Sequence, residues 1–416
     1  MVFIVVLVFG LGRKEAVFAN PGDLDTNFGN NGVVTTDIGG FDTAIDVTTQ
    51  TDGKIVLSGT TFGSSTNFAI VRYGSDGTLD NTFGANGIVT TNLSDSDIGR
   101  AITMQSDGKI IVGGSSEVNG DKDFTVVRYN SNGSLDTSFG NDGIAVTAIT
   151  SRSDEIWGMV LQSDGKIVVV GNSNGQFAIV RYNNNGSLDT SFGTNGVATP
   201  VAGSGQGVTI QSDGKIVIAG RNSNDFTVVR LNSNGTLDND FDTDGIVTTP
   251  MGNGVFVSAW DVSIQADGKI VVVGSSFNGS DYDIAVLRYN SNGSLDTSFG
   301  TDGKVIYDSG NGNDEGLAIA IQPNNKILAG GYSNTGSNEA FTLLRLNTDG
   351  NFDNDFNSDG IVITDDGQRG LGLTIQADNQ IVMTGYHSGN YVTVRYEGDQ
   401  IPNFDNYVYL PIVQQP

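Results

Sequence analysis

Hydrophobic and polar residues alternate in short segments along most of the chain, and the same order of segments recurs. From Ala44 to Gln50, apolar residues alternate with small or polar ones, and Asp52-Gly53 separates this segment from Lys54 and the apolar run 55–57. Alternation of this kind predicts a strand with one buried face. An Asp-Gly pair between two strand patterns predicts a type I′ hairpin, because both residues tolerate positive φ. The segment therefore predicts the first hairpin of a repeating β unit.

The rest of each unit predicts two more strands. The second strand, such as 167–170, is a nearly continuous β-branched run, which indicates burial on both faces. The third strand, such as 124–129, ends in Arg128-Tyr129 and is followed by the turn Asn132-Gly133. Leu135-Asp136 then leads into a fourth short strand at 144–147. No part of a unit shows a helical period of useful length.

The unit recurs at a period of roughly 50–57 residues, and repetition at that period decides the architecture. Seven units of four antiparallel strands predict an all-β, seven-bladed β-propeller. The chain begins with a fourth-type strand at 32–36 and ends with a third-type strand at 391–396. We therefore expect the N-terminal strand to complete the last blade, which closes the ring and removes an exposed sheet edge.

Each unit also carries an arginine at the end of its third strand and an aspartate in a Leu-Asp or Phe-Asp pair. We expect each guanidinium to bind its carboxylate across the turn, because the planar group suits two-oxygen acceptors. The expected structural pairs are Arg72 with Asp80, Arg128 with Asp136, Arg181 with Asp189, Arg230 with Asp238, Arg288 with Asp296, Arg345 with Asp353 and Arg395 with Asp25. The last pair would join the two ends of the chain.

Three recurring strings resemble a known repeat. Asp-Gly-Lys-Ile-Val, Val-Val-Arg-Tyr-Asn and Asn-Gly-Ser-Leu-Asp-Thr-Ser-Phe-Gly are similar to the bacterial delta-60 repeat family of predicted β-propellers. The resemblance extends from Leu24 to Tyr396, with departures at Asn325, Asn379 and Gln380. It implies an exported or surface propeller. It brings no established reaction and no catalytic residues.

Charge and composition exclude several classes of function. The formal net charge is −26, which disfavours binding to nucleic acid or anionic membranes and favours cations. The chain has no cysteine and a single histidine, His387, which excludes a thiol site, a zinc site of two or more histidines and a histidine-based triad. We expect no enzyme, but hydrolysis by two carboxylates stays an alternative. Its candidates are Glu117, Asp154, Glu155, Asp314, Glu315 and Glu339.

Calcium is a second alternative to purely structural turns. Asn130-x-Asn132-Gly133-x-x-Asp136 resembles part of a calcium loop, whose oxygens stand at alternate positions. Arg128 stands where the first acid of such a loop should be, so we expect an internal cation there. No cofactor is predicted, although weak calcium binding elsewhere on the acidic surface stays open.

The termini predict export. Residues 2–11 form an apolar run too short to span a bilayer, and Val17-Phe18-Ala19 fits the cleavage pattern of a secretory signal. We expect a signal peptide at 1–19, a propeller at 20–396 and an extended tail at 397–416. The protein would then be secreted or held at the cell surface.

Positions at which the repeats differ predict a ligand face. Trp157 and Trp260 each stand five residues before a recurring glutamine, on blades three and five. Loops on a rigid scaffold commonly carry binding residues. The candidate ligand-face residues are Trp157, Trp260, Asp154, Glu155, Asp314, Glu315, Tyr332 and Tyr386. We expect a monomeric scaffold that binds a glycan or a protein. The alternatives are a structural envelope protein, a glycan hydrolase and, for the tryptophans, packing between blades.

Overall fold

A computed structural model of the chain describes residues 19–118, 120–251 and 256–399. The predicted signal peptide, apart from Ala19, and the predicted tail beyond residue 399 lie outside the described residues. In the described part of the chain, no helix is long and apolar enough to cross a membrane.

All regular structure in these residues is β-strand, as the alternating pattern predicts. The strands are β1 Val33–Thr36, β2 Phe41–Thr49, β3 Ile55–Phe62, β4 Thr66–Tyr73, β5 Ile88–Thr91, β6 Asp97–Met104, β7 Ile110–Val118, β8 Asp121–Tyr129, β9 Ile144–Thr147, β10 Asp154–Leu161, β11 Ile167–Ser173, β12 Gln176–Tyr182, β13 Val197–Ala198, β14 Ser204–Ile210, β15 Ile216–Asn222, β16 Asp225–Leu231, β17 Ile246–Pro250, β18 Ala259–Ile264, β19 Ile270–Phe277, β20 Tyr282–Tyr289, β21 Lys304–Tyr307, β22 Asp314–Ile321, β23 Ile327–Asn334, β24 Glu339–Leu346, β25 Ile361–Thr364, β26 Arg369–Ile375, β27 Ile381–His387 and β28 Asn390–Tyr396.

The strands form seven antiparallel four-stranded sheets, which are the blades of a propeller. Blades one to six follow chain order, from β2-β3-β4-β5 to β22-β23-β24-β25. The first strands of successive blades contact one another, so they surround the central channel. Blade seven has the order β26-β27-β28-β1. Val33 pairs with Val394 and Thr36 with Tyr391, so the predicted closure of the ring by the N-terminal strand is confirmed.

The core lies between the blades. The second strand of each blade is buried on both faces, as its continuous apolar run predicts; in β3, Ile55, Val56 and Leu57 are all 0% exposed. Alternate residues of this strand belong to different clusters: Leu57 packs in the cluster that reaches Tyr391 of blade seven, and Val56 packs with Phe68 and Val112 toward blade two. Each blade therefore depends on both of its neighbours for burial of its faces.

The recurring arginine links each blade to the next. In blade two, the Arg128 Nε donates to Asp136 Oδ2 at 2.8 Å, and its guanidinium lies 4.7 Å from the Phe139 ring centroid. The same guanidinium donates to the backbone carbonyl of Asn184, which belongs to the turn of blade three. Lys109 Nζ lies 3.1 Å from the same aspartate. The recurring Asp-x-x-Phe sequence thus supplies both an acceptor and an aromatic ring for one arginine.

The same arrangement recurs around the ring. The shortest Arg to Asp distances are 2.9 Å for Arg72–Asp80, 2.8 Å for Arg128–Asp136, 2.8 Å for Arg181–Asp189, 2.6 Å for Arg230–Asp238, 2.7 Å for Arg288–Asp296, 2.6 Å for Arg345–Asp353 and 2.6 Å for Arg395–Asp25. Arg395 also donates to the Ser75 carbonyl of blade one at 2.5 Å. Arg345 differs, because its Nη1 donates to the carboxylate of Asp399 at 2.8 Å.

Candidate functional site

A β-bulge in the first strand of every blade defines the candidate site. In each strand one residue has no partner across the ladder, as Trp157 does between Ile156 and Gly158. The bulged residues are Ile45, Arg100, Trp157, Gln206, Trp260, Leu317 and Leu371. A bulge redirects a side chain from the normal alternation of a strand. All seven side chains line one cavity of about 420 Å³ in the central channel.

Small residues after the bulges let neighbouring blades approach. A Cβ atom added to Gly158 would lie 2.4 Å from the carbonyl oxygen of Gln206 in the next blade. A Cβ atom on Gly207 would lie 2.6 Å from the Cα of Asp261. Both distances are below any that a side chain tolerates, so these positions need glycine. The close approach brings the first strands of neighbouring blades together around the channel.

Arg100 and the two tryptophans form the most distinctive part of the cavity. The ring centroids of Trp157 and Trp260 are 6.0 Å apart with an interplanar angle of 55°. The Arg100 guanidinium lies 3.5 Å from the Trp157 centroid, within cation–π distance. Its Nε is buried and has no hydrogen-bond acceptor among the described residues. Burial lowers the pKa of Arg100 to about 10 despite the opposing charge of Glu155, so the group stays cationic at neutral pH.

A second group of polar and charged residues lines the same cavity, namely Glu315, Tyr332 and Arg369. The Tyr332 hydroxyl donates to Glu315 Oε1 at 2.7 Å. Arg369 lies 4.4 Å from the Tyr332 ring centroid and donates to both carboxylate oxygens of Glu339, at 2.7 and 2.6 Å. Burial, followed by the charge of Glu315, raises the pKa of Tyr332, so this phenol stays protonated and able to donate. Arg369 is therefore neutralised by a bidentate partner, whereas Arg100 is not.

Two aspartates follow bulged residues on opposite parts of the ring. Asp46 Oδ2 accepts from the Ile102 N–H of blade two at 2.9 Å, and Asp261 Oδ2 accepts from the Ile319 N–H of blade six at 3.0 Å. Burial raises the pKa of Asp46 to about 6, with two backbone hydrogen bonds opposing the rise. Burial raises the pKa of Asp261 to about 7, and the charge of Asp46 adds to this effect. The cavity thus contains acids that titrate near neutrality.

Only part of the predicted ligand face lines this cavity. Trp157, Trp260, Glu315 and Tyr332 do so. The contact between the tryptophans inside the channel favours the ligand-face hypothesis over packing between blades. Tyr386 does not line this cavity; it lies in β27, and its ring centroid is 5.9 Å from that of Phe41.

The predicted acids Asp154 and Asp314 have a different position. Both are 0% exposed. Asp154 Oδ2 accepts from the Ile149 N–H and Asp314 Oδ2 from the Ser309 N–H, each at 2.7 Å. They hold the loops that enter the first strands and do not face the cavity. Glu155, beside Asp154, is 3.2 Å from Lys122 Nζ.

Sequence reasoning missed Arg100, Gln206, Arg369 and the apolar members of the bulge ring. The signal was present, because every bulged residue stands five positions before the recurring glutamine, as Trp157 stands before Gln162. This position is apolar, cationic or amide in different blades. Variation at one fixed position of a regular repeat identifies the side chains that the scaffold does not need.

An acidic cluster lies outside the cavity lining. Oxygens of Asp283, Asp308 and Asp314 lie within 4.8 Å of one another. Burial, and then the charge of Asp308, raises the pKa of Asp283 to about 6. Asp314 Oδ1 has no donor, but Asp42 Oδ1 in the matching loop of blade one has none either. The unpaired oxygen therefore recurs in a loop where the described residues form no such acidic cluster, so it does not by itself indicate a cation.

The fold and site define a seven-bladed propeller with a lined central cavity, and comparison with known families agrees. Six segments match a family described as "Domain of unknown function (DUF5122) beta-propeller": residues 50–83, 105–139, 162–192, 211–241, 265–299 and 322–356. Each segment runs from the recurring glutamine to the phenylalanine of the Asp-x-x-Phe sequence. The corresponding part of blade seven is divided between the chain ends, from Gln376 to Arg395 and from Asp25 to Phe28. The repeats thus match a propeller repeat family of unknown function.

Solved structures share the fold but little sequence. The WD40 β-propeller domain of Doa1 has a TM-score of 0.50 and 11% identity, covering 88% of this chain and 97% of that chain. Sqt1 of Chaetomium thermophilum, bound to the N-terminus of the ribosomal protein L10, has a TM-score of 0.50 and 13% identity, covering 88% and 98%. A protein from Lactobacillus plantarum has a TM-score of 0.51 and 12% identity, covering 82% and 90%. No curated protein matches the sequence.

Proposed function

We propose that the protein is a binding scaffold that receives a segment of another protein in the cavity of its central channel. The observation that carries this proposal is the convergence of seven bulged side chains, including two tryptophans and an arginine, on one cavity. Core packing does not require these residues, since they face a cavity. Tryptophan and arginine are also the residues that most often dominate the energy of protein interfaces.

A peptide fits this cavity better than a glycan does. Sugars commonly stack on an open aromatic face, but Arg100 lies on the ring of Trp157, and Trp260 is tilted against it. The cavity also presents Ile45, Leu317 and other apolar side chains beside charged and amide groups. Apolar walls combined with placed polar groups suit a side chain of a peptide. The solved complex of Sqt1 with a protein N-terminus supports the idea that a propeller of this general fold can take a peptide.

Selection from a random peptide-display library on the full-length protein tests the proposal. We expect enriched peptides whose affinity falls at least about tenfold in Trp157→Ala and Trp260→Ala. Truncation of a dominant interface tryptophan commonly costs about 2 kcal/mol or more of binding free energy, and about 1.4 kcal/mol corresponds to a tenfold change. Phe256→Ala is the matched control, since Phe256 is an exposed aromatic residue outside the cavity lining. Failure to enrich any peptide, or equal affinity for the tryptophan variants, would contradict the proposal.

Export is a separate part of the proposal and is supported by the apolar run at 2–11 and by Val17-Phe18-Ala19. N-terminal sequencing of the protein made in a bacterial host with a secretory pathway tests it. We expect the mature chain to begin at Asn20. An uncleaved chain retained inside the cell would contradict export and leave the binding proposal unaffected.

A further inference from the structure

The charges in the cavity are unequally paired, and this inequality indicates what a ligand must bring. Arg369 has a bidentate carboxylate partner in Glu339, at 2.7 and 2.6 Å. Arg100 has none: its Nε is buried without an acceptor, and no described carboxylate forms a salt bridge with it. The charge of Glu155 acts on the pKa of Arg100, but Glu155 Oε1 instead lies 3.2 Å from Lys122 Nζ.

We propose that Arg100 binds a carboxylate of the peptide ligand, with the adjoining apolar part of the ligand against Trp260. This inference rests on the proposed function and assigns the chemical class of its ligand. A buried guanidinium N–H without an acceptor is costly, and a carboxylate supplies two oxygens that accept hydrogen bonds from one edge of a guanidinium. The stacked Trp157 ring holds the guanidinium plane in one orientation, 3.5 Å from the ring centroid. The site is thus organised before the ligand arrives.

The acids around the cavity limit the ligand to a single negative charge. Asp46, Asp261 and Glu315 all line it, and a doubly charged phosphate would face them with one unpaired cation for support. Phosphate sites commonly combine several cations or backbone N–H groups. The ligand carboxylate is therefore either the C-terminus of a peptide or an acidic side chain.

The net charge of −26 gives the site its selectivity. A strongly acidic surface repels anions at distances of about a Debye length. Highly acidic partners are consequently excluded, and an isolated carboxylate beside apolar residues is accepted. For a peptide of this kind, electrostatic repulsion weakens binding little, and the contact with Arg100 strengthens it.

Four small probes test the assignment, and the fluorescence of the chain reports directly on the site. The chain has two tryptophans, Trp157 and Trp260, and both line the cavity. The probes are acetyl-leucyl-leucine with a free carboxylate, its C-terminal amide, acetyl-leucyl-glutamate amide, and glucuronic acid. Each is titrated into the full-length protein to about 50 mM, since ligands of this size bind in the millimolar range.

We expect at least one of the two peptide acids to bind about tenfold to a hundredfold more tightly than the neutral amide. Arg100→Gln should abolish that preference. Arg221→Gln should retain it, because Arg221 also lies over an aromatic ring, 4.0 Å from the Phe256 centroid, but does not line the cavity. The two acids distinguish a C-terminal carboxylate from an acidic side chain.

The remaining outcomes overturn the assignment in distinguishable ways. Equal binding of acid and amide, or an acid preference that survives Arg100→Gln, would reject the carboxylate and leave the peptide cavity standing. Tightest binding by glucuronic acid would reject the peptide source in favour of a sugar acid. No saturable response to any probe would reject the carboxylate anchor. The proposed function would then depend on the display selection alone, that is, on whether it yields peptides whose binding requires Trp157 and Trp260.

Discussion

Aspartate takes several roles in this chain, and the surroundings of each carboxylate decide which one. Burial opposes ionisation of Asp136, but hydrogen bonds from Ser138 and Lys109 and the charge of Arg128 outweigh it, so its pKa is held well below the usual range. Asp261 receives only backbone hydrogen bonds in a buried position, and burial raises its pKa to about 7. The same residue type is thus an ion-pair partner at one place and a titrating group at another.

The raised pKa of Asp261 predicts a stability that falls as pH rises. Between its ordinary value of 3.8 and about 7, the folded chain holds this proton more tightly than the unfolded chain does. The free energy of unfolding should therefore decline with increasing pH across this range, by at most about 1.4 kcal/mol for each unit of pKa difference. Chemical denaturation at pH 5 and pH 8 measures the change.

Asp261→Asn is the matched variant, because the amide oxygen can still accept the Ile319 N–H but does not ionise. Its unfolding free energy should decline less than that of the unchanged protein between the two pH values. Asp46, with its pKa near 6, and Asp283, also near 6, contribute a remaining decline in both proteins. An identical pH slope in the two proteins would contradict the assignment.

At the scale of the strand, the bulge and the residue after it form one device. The bulge turns a side chain into the channel, and the glycine or alanine that often follows allows the next blade to come close. Gly158→Ala would place a Cβ 2.4 Å from the Gln206 carbonyl oxygen in the neighbouring blade. We expect a loss of about 1–3 kcal/mol in unfolding free energy, because the backbone of one blade must move.

Gly63→Ala is the control for this substitution, since the nearest atom to its added Cβ is 3.9 Å away. Its unfolding free energy should stay within about 0.5 kcal/mol of the unchanged protein. Thermal or urea denaturation compares the two. Equal stability of Gly158→Ala and Gly63→Ala would show that the first strands are not held as closely as the structure indicates.

The regular strands could be predicted from sequence, but the cavity could not be predicted in full. Asp52-Gly53 and its copies show the hairpins, and continuous apolar runs show the buried second strands, because each signal is local. A bulge depends on the register between two strands, which no local pattern reports. Trp157 stood out by its size, whereas Arg100 at the same repeat position resembled an ordinary surface residue. Only its stacking on Trp157 distinguishes it.

The whole molecule depends on a ring whose two ends are not joined by the chain. Blade seven takes β28 from the C-terminal part and β1 from the N-terminal part, and Arg395 lies 2.6 Å from Asp25 across this junction. The junction repeats the pattern found inside the other blades, where Arg and Asp are eight residues apart, as in Arg181 and Asp189. A closed ring should give both pairs a favourable coupling free energy, although one spans the chain ends and Asp189 also has Lys166 as a second partner at 3.2 Å.

Alanine substitution of each pair tests closure in solution. Breaking a buried ion pair by removing one partner costs about 3–5 kcal/mol, because a charge is left buried without its counterpart. Arg181→Ala should cost this amount whether or not the ring is closed, since its aspartate lies in the same blade. Arg395→Ala and Asp25→Ala should cost as much only if β1 occupies the edge of blade seven. A double-mutant cycle on Arg395 and Asp25 measures the coupling free energy directly. Coupling near zero, beside a normal value for Arg181 and Asp189, would mean that the ring opens at this junction and that the channel cavity loses its fixed wall of seven blades.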